Sequence, residues 1–177
     1  MRKKALILLF ASFAIVIAGH WVAVSTTCDL AKGGIYCENL EKLTKFYEKN
    51  IRGHLFAGFL ALGGFLLSLK TFIVVSMKEN VYDNKRYKDN WERQLKIDPG
   101  LKLYSPLKEL SDLLFYAILS VIVTAILQMT LGLYPHWIAS LLCLGSAVYA
   151  ILLLLKSLFL IKKNLDVWFS YLEPAQP

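Results

Sequence analysis

Residues 110–161 read LSDLLFYAILSVIVTAILQMTLGL (110–133), YPHW (134–137) and IASLLCLGSAVYAILLLLKSLFLI (138–161). Each apolar arm holds 24 residues, which at ~1.5 Å per residue makes a helix of about 36 Å. That exceeds the ~30 Å hydrocarbon layer of a bilayer and leaves room for tilt. Only four residues, Pro135 among them, separate the arms. A connection so short predicts two antiparallel, adjacent helices, and a hairpin this apolar belongs in a membrane.

Working outward, the whole chain has the same character. Of its 177 residues 56% are apolar and 19% charged, far from the balance of a water-soluble domain. Four apolar stretches emerge, at about 5–24, 55–77, 110–133 and 137–161, leaving an outer loop 25–52, an inner loop 78–107 and a tail 162–177. The expected fold is an all-α integral membrane protein, a single membrane domain of four transmembrane helices. Short amphipathic helices are expected in the outer loop, the inner loop and the tail. Met1–Lys4 (MRKK) before an apolar core resembles a secretory leader, but the run continues through Trp21 to Val24, a full span, so an uncleaved first helix is expected. No carboxylate stands in the body of an apolar stretch; Asp112 sits at the start of the third. Proton- or cation-coupled transport usually needs one there.

Orientation follows from the basic residues. Apart from Lys70 and Lys156, which lie inside spans, 13 Lys and Arg fall on the side of the N-terminus, the 78–107 loop and the tail, against 5 on the other. The bias predicts that both termini and the long loop are cytoplasmic. Cys28 and Cys37 then lie outside the cytosol, flanking a Gly33-Gly34 reversal, and are expected to form a structural disulfide. Cys143 falls within the fourth span. In the outer loop, Leu40, Leu43, Tyr47 and Ile51 recur at helical spacing. In the inner loop, Tyr87, Trp91 and Leu95 do the same, predicting a helix over 79–97 that Asp98-Pro99-Gly100 ends. Ser105-Pro106 reads as cap and first residue of the third span. Leu165, Trp168, Phe169 and Leu172 predict an interfacial tail helix.

Several constellations carry functional readings beside plainer ones. Gly53, Ala57, Ala61, Gly64 and Ser68 give the second span a small-residue face for helix packing, within the chain or between copies of it. Lys70 and Lys156 lie roughly 10 Å from their helix ends; they snorkel to lipid phosphates or, in an oligomer, ring an anion-favouring pore. Ser120, Thr124 and Gln128 form a polar stripe that bonds across helices or lines such a conduit. His20, His54 and His136 share one membrane side with Trp21, Tyr134 and Trp137, an aromatic belt; none are spaced as helical metal ligands, so no metal is expected. No hydrolase or nucleotide motif occurs, so neither an enzyme nor a cofactor is expected. Lys85, Arg86, Tyr87, Trp91, Arg93 and Leu95 mark a docking surface on the inner loop. The acids among them dilute its field, which favours a cytosolic protein partner or anionic membrane lipid over direct nucleic-acid binding.

Three four-span families fail on their motifs. Quinone-linked thiol oxidases need a CxxC and a second cysteine pair; claudin-like proteins need a GLW; small multidrug exporters need a glutamate in the first span. The layout of the whole chain has a better counterpart. With MRKK inside, a compact outer loop bearing Cys28 and Cys37, a 30-residue inner loop and then the hairpin, it resembles the small four-span membrane subunits of bacterial antiphage defence systems, the Kiwa membrane-component type. That resemblance implies a homo-oligomer in the bacterial inner membrane that senses infection at the envelope, and a cytosolic partner that acts on nucleic acid in its place. The expected function is a non-enzymatic oligomeric sensor and scaffold; the alternative is an oligomeric channel or membrane-permeabilising effector.

Overall fold

The computed structural model describes residues 2–27 and 38–172. Cys28 and Cys37, with their expected disulfide, lie outside the described residues. Six α-helices follow in order: α1 (Arg2–Thr27), α2 (Glu38–Phe46), α3 (Arg52–Met77), α4 (Lys85–Leu95), α5 (Ser105–Met129) and α6 (Trp137–Leu172). Single π-helical turns, Tyr47–Ile51 and Lys78–Tyr82, precede and follow α3, and a 3-10 turn, Leu131–Leu133, follows α5. No strand occurs among the described residues. Four helical stretches are long and apolar enough to cross a membrane: Leu6–Ser25, Thr44–Tyr82, Ser105–Leu133 and Trp137–Asp166.

Local chemistry explains the boundaries, including those that differ from expectation. Residues 38–52 contain neither Gly nor Pro, so α2 runs through its π turn into α3 and is no separate surface helix. The tail behaves likewise. With no breaker between Lys162 and Leu172, α6 continues for 36 residues, about 54 Å at 1.5 Å per residue, and the expected separate tail helix is its last turns. In contrast, α4 is shorter than expected at both ends. Asn84 interrupts the run: its side-chain oxygen accepts from the Arg86 N–H at 2.9 Å, an N-cap that starts α4 at Lys85. Beyond Leu95 the Gly100 N–H turns back to the Asp98 carboxylate at 3.0 Å. At the start of α5 the first helical bond runs from the Lys108 N–H to the Tyr104 carbonyl, 2.9 Å. The cap is therefore Tyr104, one residue earlier than expected, and Pro106 is the second helical residue rather than the first; in that first turn its missing N–H costs nothing. His136 caps α6, its carbonyl accepting from Ser140 (3.2 Å) and its Nδ1 from the Ile138 N–H (3.3 Å).

Contacts group the chain into two units, residues 1–64 with 119–153, and residues 65–118 with 154–177. In the first unit the seam of α6 is made of small residues, with Ala139, Ser140, Cys143, Ala147 and Ala150 all buried. Small side chains let helix backbones close in, the main packing device where lipid removes the hydrophobic drive. Gly145 belongs to the same device: a Cβ there would stand 2.6 Å from Cε1 of Phe13, so α1 rests its aromatic ring on bare backbone. On α3 the packed positions are Phe59 and Gly63, whose Cβ would meet the Ile122 side chain at 3.2 Å. The second unit holds an apolar cluster of Met77, Val81, Tyr82, Leu107, Leu110 and Leu114, joined by Leu160, Ile161 and Leu165. Along α5 the buried residues Leu107, Leu110, Leu114, Ala117, Val121, Thr124 and Gln128 make a stripe spaced by three and four, the period of a left-handed helix seam, and Leu113, Ile118 and Ala125 widen it. The opposite faces carry Phe10, Phe72 and Phe159, each at least 70% exposed, a surface that suits lipid and would be a liability in water.

Candidate functional site

In the second unit the segment between α3 and α5 is folded on tyrosines. Tyr82, 3% exposed, closes the π turn after α3. Tyr87 from α4 meets it edge-on, with ring centroids 5.0 Å apart and planes at 73°; Tyr104 lies 6.3 Å away. The Tyr82 hydroxyl donates to Asn164 Oδ1 at 3.2 Å, and the Asn164 amide donates to the Leu160 carbonyl at 2.9 Å. The Tyr104 hydroxyl donates to Asp83 Oδ1 at 2.8 Å, where the Lys88 ammonium also approaches to 3.3 Å. The Tyr104 hydrogen bond holds the Asp83 carboxyl below its ordinary range, with Lys88 adding to it, and the same bond pushes the Tyr104 phenol up. Thus α4 is seated, not tethered. Of the sequence-predicted docking residues, Lys85, Arg86 and Arg93 are exposed, whereas Tyr87, Trp91 and Leu95 are half-buried. The indole N–H of Trp91 is covered and has no hydrogen-bond partner among the described residues.

Beneath this platform is a cavity of about 330 Å³, its lining including Met77, Tyr82, Ser105, Glu109, Leu160 and Lys163. Among the described residues no ion pair or hydrogen bond engages the side chain of either Glu109 or Lys163, both exposed at its rim. A second cavity, about 220 Å³, belongs to the first unit and is lined by His20, Tyr47, Trp137 and Ser140 among others. At this end of the unit His20 and His136 stack on Trp137, at centroid distances of 5.4 and 6.0 Å.

The first unit also contains the polar stripe. Gln128 is fully buried and Thr124 nearly so. The Gln128 amide donates to the Cys143 carbonyl at 3.1 Å, its oxygen accepts from the Tyr47 hydroxyl, and the Thr124 hydroxyl donates to the Ser146 carbonyl at 3.1 Å. Ser120 is partly buried on the same side. Arg52 closes this end by donating to the Gly132 carbonyl at 2.8 Å. Thr124 and Gln128 therefore spend their polar groups on neighbouring helices of the chain. Lys70 belongs to the second unit, where its ammonium stands over the Phe115 ring, 5.1 Å from the centroid; Lys156 is partly buried in that unit too. Among the described residues the predicted small-residue face of α3 lies at the surface. Gly53, Ala57, Ala61, Gly64 and Ser68 are all exposed, and the in-chain contact is made by Phe59 and Gly63 on another side.

Sequence reading missed Tyr82, Tyr104, Asn164, Glu109 and Lys163. The one available signal was a tyrosine at each end of the inner loop, which periodicity within a helix does not detect. Among the described residues no group of three His, Cys, Asp or Glu is placed to hold a metal ion. Compared with known families, characterised proteins and solved structures, the chain matches none.

Proposed function

We propose that this protein is an inner-membrane docking subunit, with both termini and the 78–107 segment in the cytoplasm, that presents α4 to a soluble partner. The observation that carries the reading is the seating of α4. A polar connection meant only to join two spans needs no order, yet here Tyr82, Tyr87 and Tyr104 clamp it and aim Lys85, Arg86 and Arg93 outward. A pre-ordered surface spares a partner the entropy of folding a loop on binding. The mixed charges, with Asp89 and Glu92 among the bases, suit a protein surface better than a uniform polyanion. The protein assembles with copies of itself, and the exposed small-residue face of α3 supports that reading. A Cys28–Cys37 disulfide would staple the outer loop. The whole-chain layout supports a place as the membrane subunit of an antiphage defence system, without catalysis of its own.

The test is recovery of a complex of fixed stoichiometry from membranes, sized by light scattering after solubilisation. Replacing Lys85, Arg86 and Arg93 together by Glu should remove the cytosolic component and leave the membrane component intact. If deletion of the tip 82–96 leaves every cytosolic component in place, the docking reading fails.

A further inference from the structure

We infer that the cavity of the second unit binds the headgroup of an ethanolamine phospholipid, its phosphate on Lys163 and its ammonium on Glu109. Three features of the cavity lead there. First, its position: it is lined where three membrane-length helices end, by Tyr82, Ser105 and Lys163, and the apolar stretches themselves end at Tyr82, start at Ser105 and end at Asp166. That is headgroup depth for a chain inserted across a bilayer. Second, its shape and chemistry: about 330 Å³ lies within the range of small-molecule sites, and an apolar side with a few polar groups is their usual make-up. Met77 and Leu160 supply the apolar side, suited to the glycerol and upper acyl carbons.

The third feature is charge. One cation and one anion line the same cavity, yet among the described residues no ion pair joins them and neither side chain bonds elsewhere. The buried polar groups nearby are already spent, Tyr82 on Asn164 and Asn164 on Leu160. A ligand that satisfies both rim charges must itself carry both signs. An anionic headgroup would set its phosphate against Glu109, and a trimethylammonium has no N–H to donate to a carboxylate or to the Ser105 hydroxyl. A primary ammonium has three, and a phosphate makes a charge-assisted bond with Lys163. The inference needs membrane insertion but not partner docking.

Native mass spectrometry of the full chain, released from detergent after exchange with defined lipids, tests it. Phosphatidylethanolamine should be retained at one copy per chain, with at least about ten-fold preference over phosphatidylglycerol and over phosphatidylcholine of equal chain length. Glu109→Gln and Lys163→Gln should each erase the preference. Both side chains are exposed, so circular dichroism should show the helices unchanged. Glu109→Lys should invert the preference toward phosphatidylglycerol, a gain that misfolding could not mimic. Equal retention of the three lipids, or an unchanged preference in both Gln variants, would overturn the inference. Retention of free phosphoethanolamine as tight as that of the lipid would overturn the lipid source.

Discussion

Gln128→Leu tests the buried connection most sharply. Gln128 has no exposed surface and Tyr47 only 4%, so water cannot replace the bonds that the substitution removes. Two side-chain bonds go, one to the Cys143 carbonyl and one from the Tyr47 hydroxyl. Between membrane helices such bonds average about 0.6 kcal/mol and reach roughly 1.7. Leaving the Tyr47 hydroxyl covered beside the weakly bonding Cys143 thiol adds on the order of 1 kcal/mol. The expected loss is therefore about 2 kcal/mol, with Leu filling most of the vacated volume. Tyr47→Phe alone should cost about 1 kcal/mol, but in the Gln128→Leu background it removes a hydroxyl left beside the weakly bonding Cys143 thiol and should cost almost nothing. The assay is equilibrium unfolding of the full chain in mixed micelles, titrated with sodium dodecyl sulfate and read by circular dichroism. Single losses that simply add, with a coupling under about 0.3 kcal/mol, would refute the bonded pair and return Gln128 to the conduit reading.

Gly145→Val should destabilise by about 1–3 kcal/mol through overpacking, because even a Cβ would stand 2.6 Å from the Phe13 ring; Phe13→Ala should recover part of the loss in the same unfolding assay. With the Asp83 carboxyl lowered by Tyr104 and Lys88, its contribution to seating α4 is complete above about pH 4, the ordinary carboxylate value, and is lost as pH falls through the lowered one. At the alkaline end the Tyr104 phenol is raised by Asp83, so its contribution holds below about pH 10 and fades as pH climbs through the raised value. Tyr104→Phe should move the Asp83 titration midpoint upward by NMR, and an unmoved midpoint would assign the shift to Lys88 instead. For topology, Lys45→Cys and Lys88→Cys are compared in a chain with Cys28 and Cys37 replaced by Ser. An impermeant maleimide should label position 45 in intact spheroplasts and position 88 only after lysis, and the reverse pattern would invert the orientation.

Much of the architecture is legible along the chain because lipid imposes a one-dimensional rule. A span must be about 20 apolar residues long, and a helix must satisfy its own backbone. The four apolar stretches, the short connection after the third and the amphipathic inner-loop helix follow from that rule without any knowledge of contacts. Boundaries were less legible. Nothing in residues 162–172 stops a helix, and whether Ser105 or Tyr104 caps α5 depends on one hydrogen bond from Lys108.

Which faces meet was not legible at all. In the second span the pattern Gly53, Ala57, Ala61, Gly64 and Ser68 stands out as a packing face, yet the chain packs Phe59 and Gly63 and puts its small-residue seam on α6. On an all-apolar helix every side is hydrophobic, so periodicity carries no arrow toward the neighbour. The polar groups show the same division. Composition placed Gln128, Tyr47, Tyr104 and Asp83 on their elements, but only the tertiary structure pairs residues 81 positions apart, Tyr47 with Gln128, or 21 apart, Asp83 with Tyr104. The sequence by itself determined that four helices suit a bilayer and which loops carry the positive charge, because those depend on length and on counting. Only the tertiary structure decided that α4 is held rather than loose, and that Glu109 and Lys163 share one cavity, because both depend on which helix ends come together.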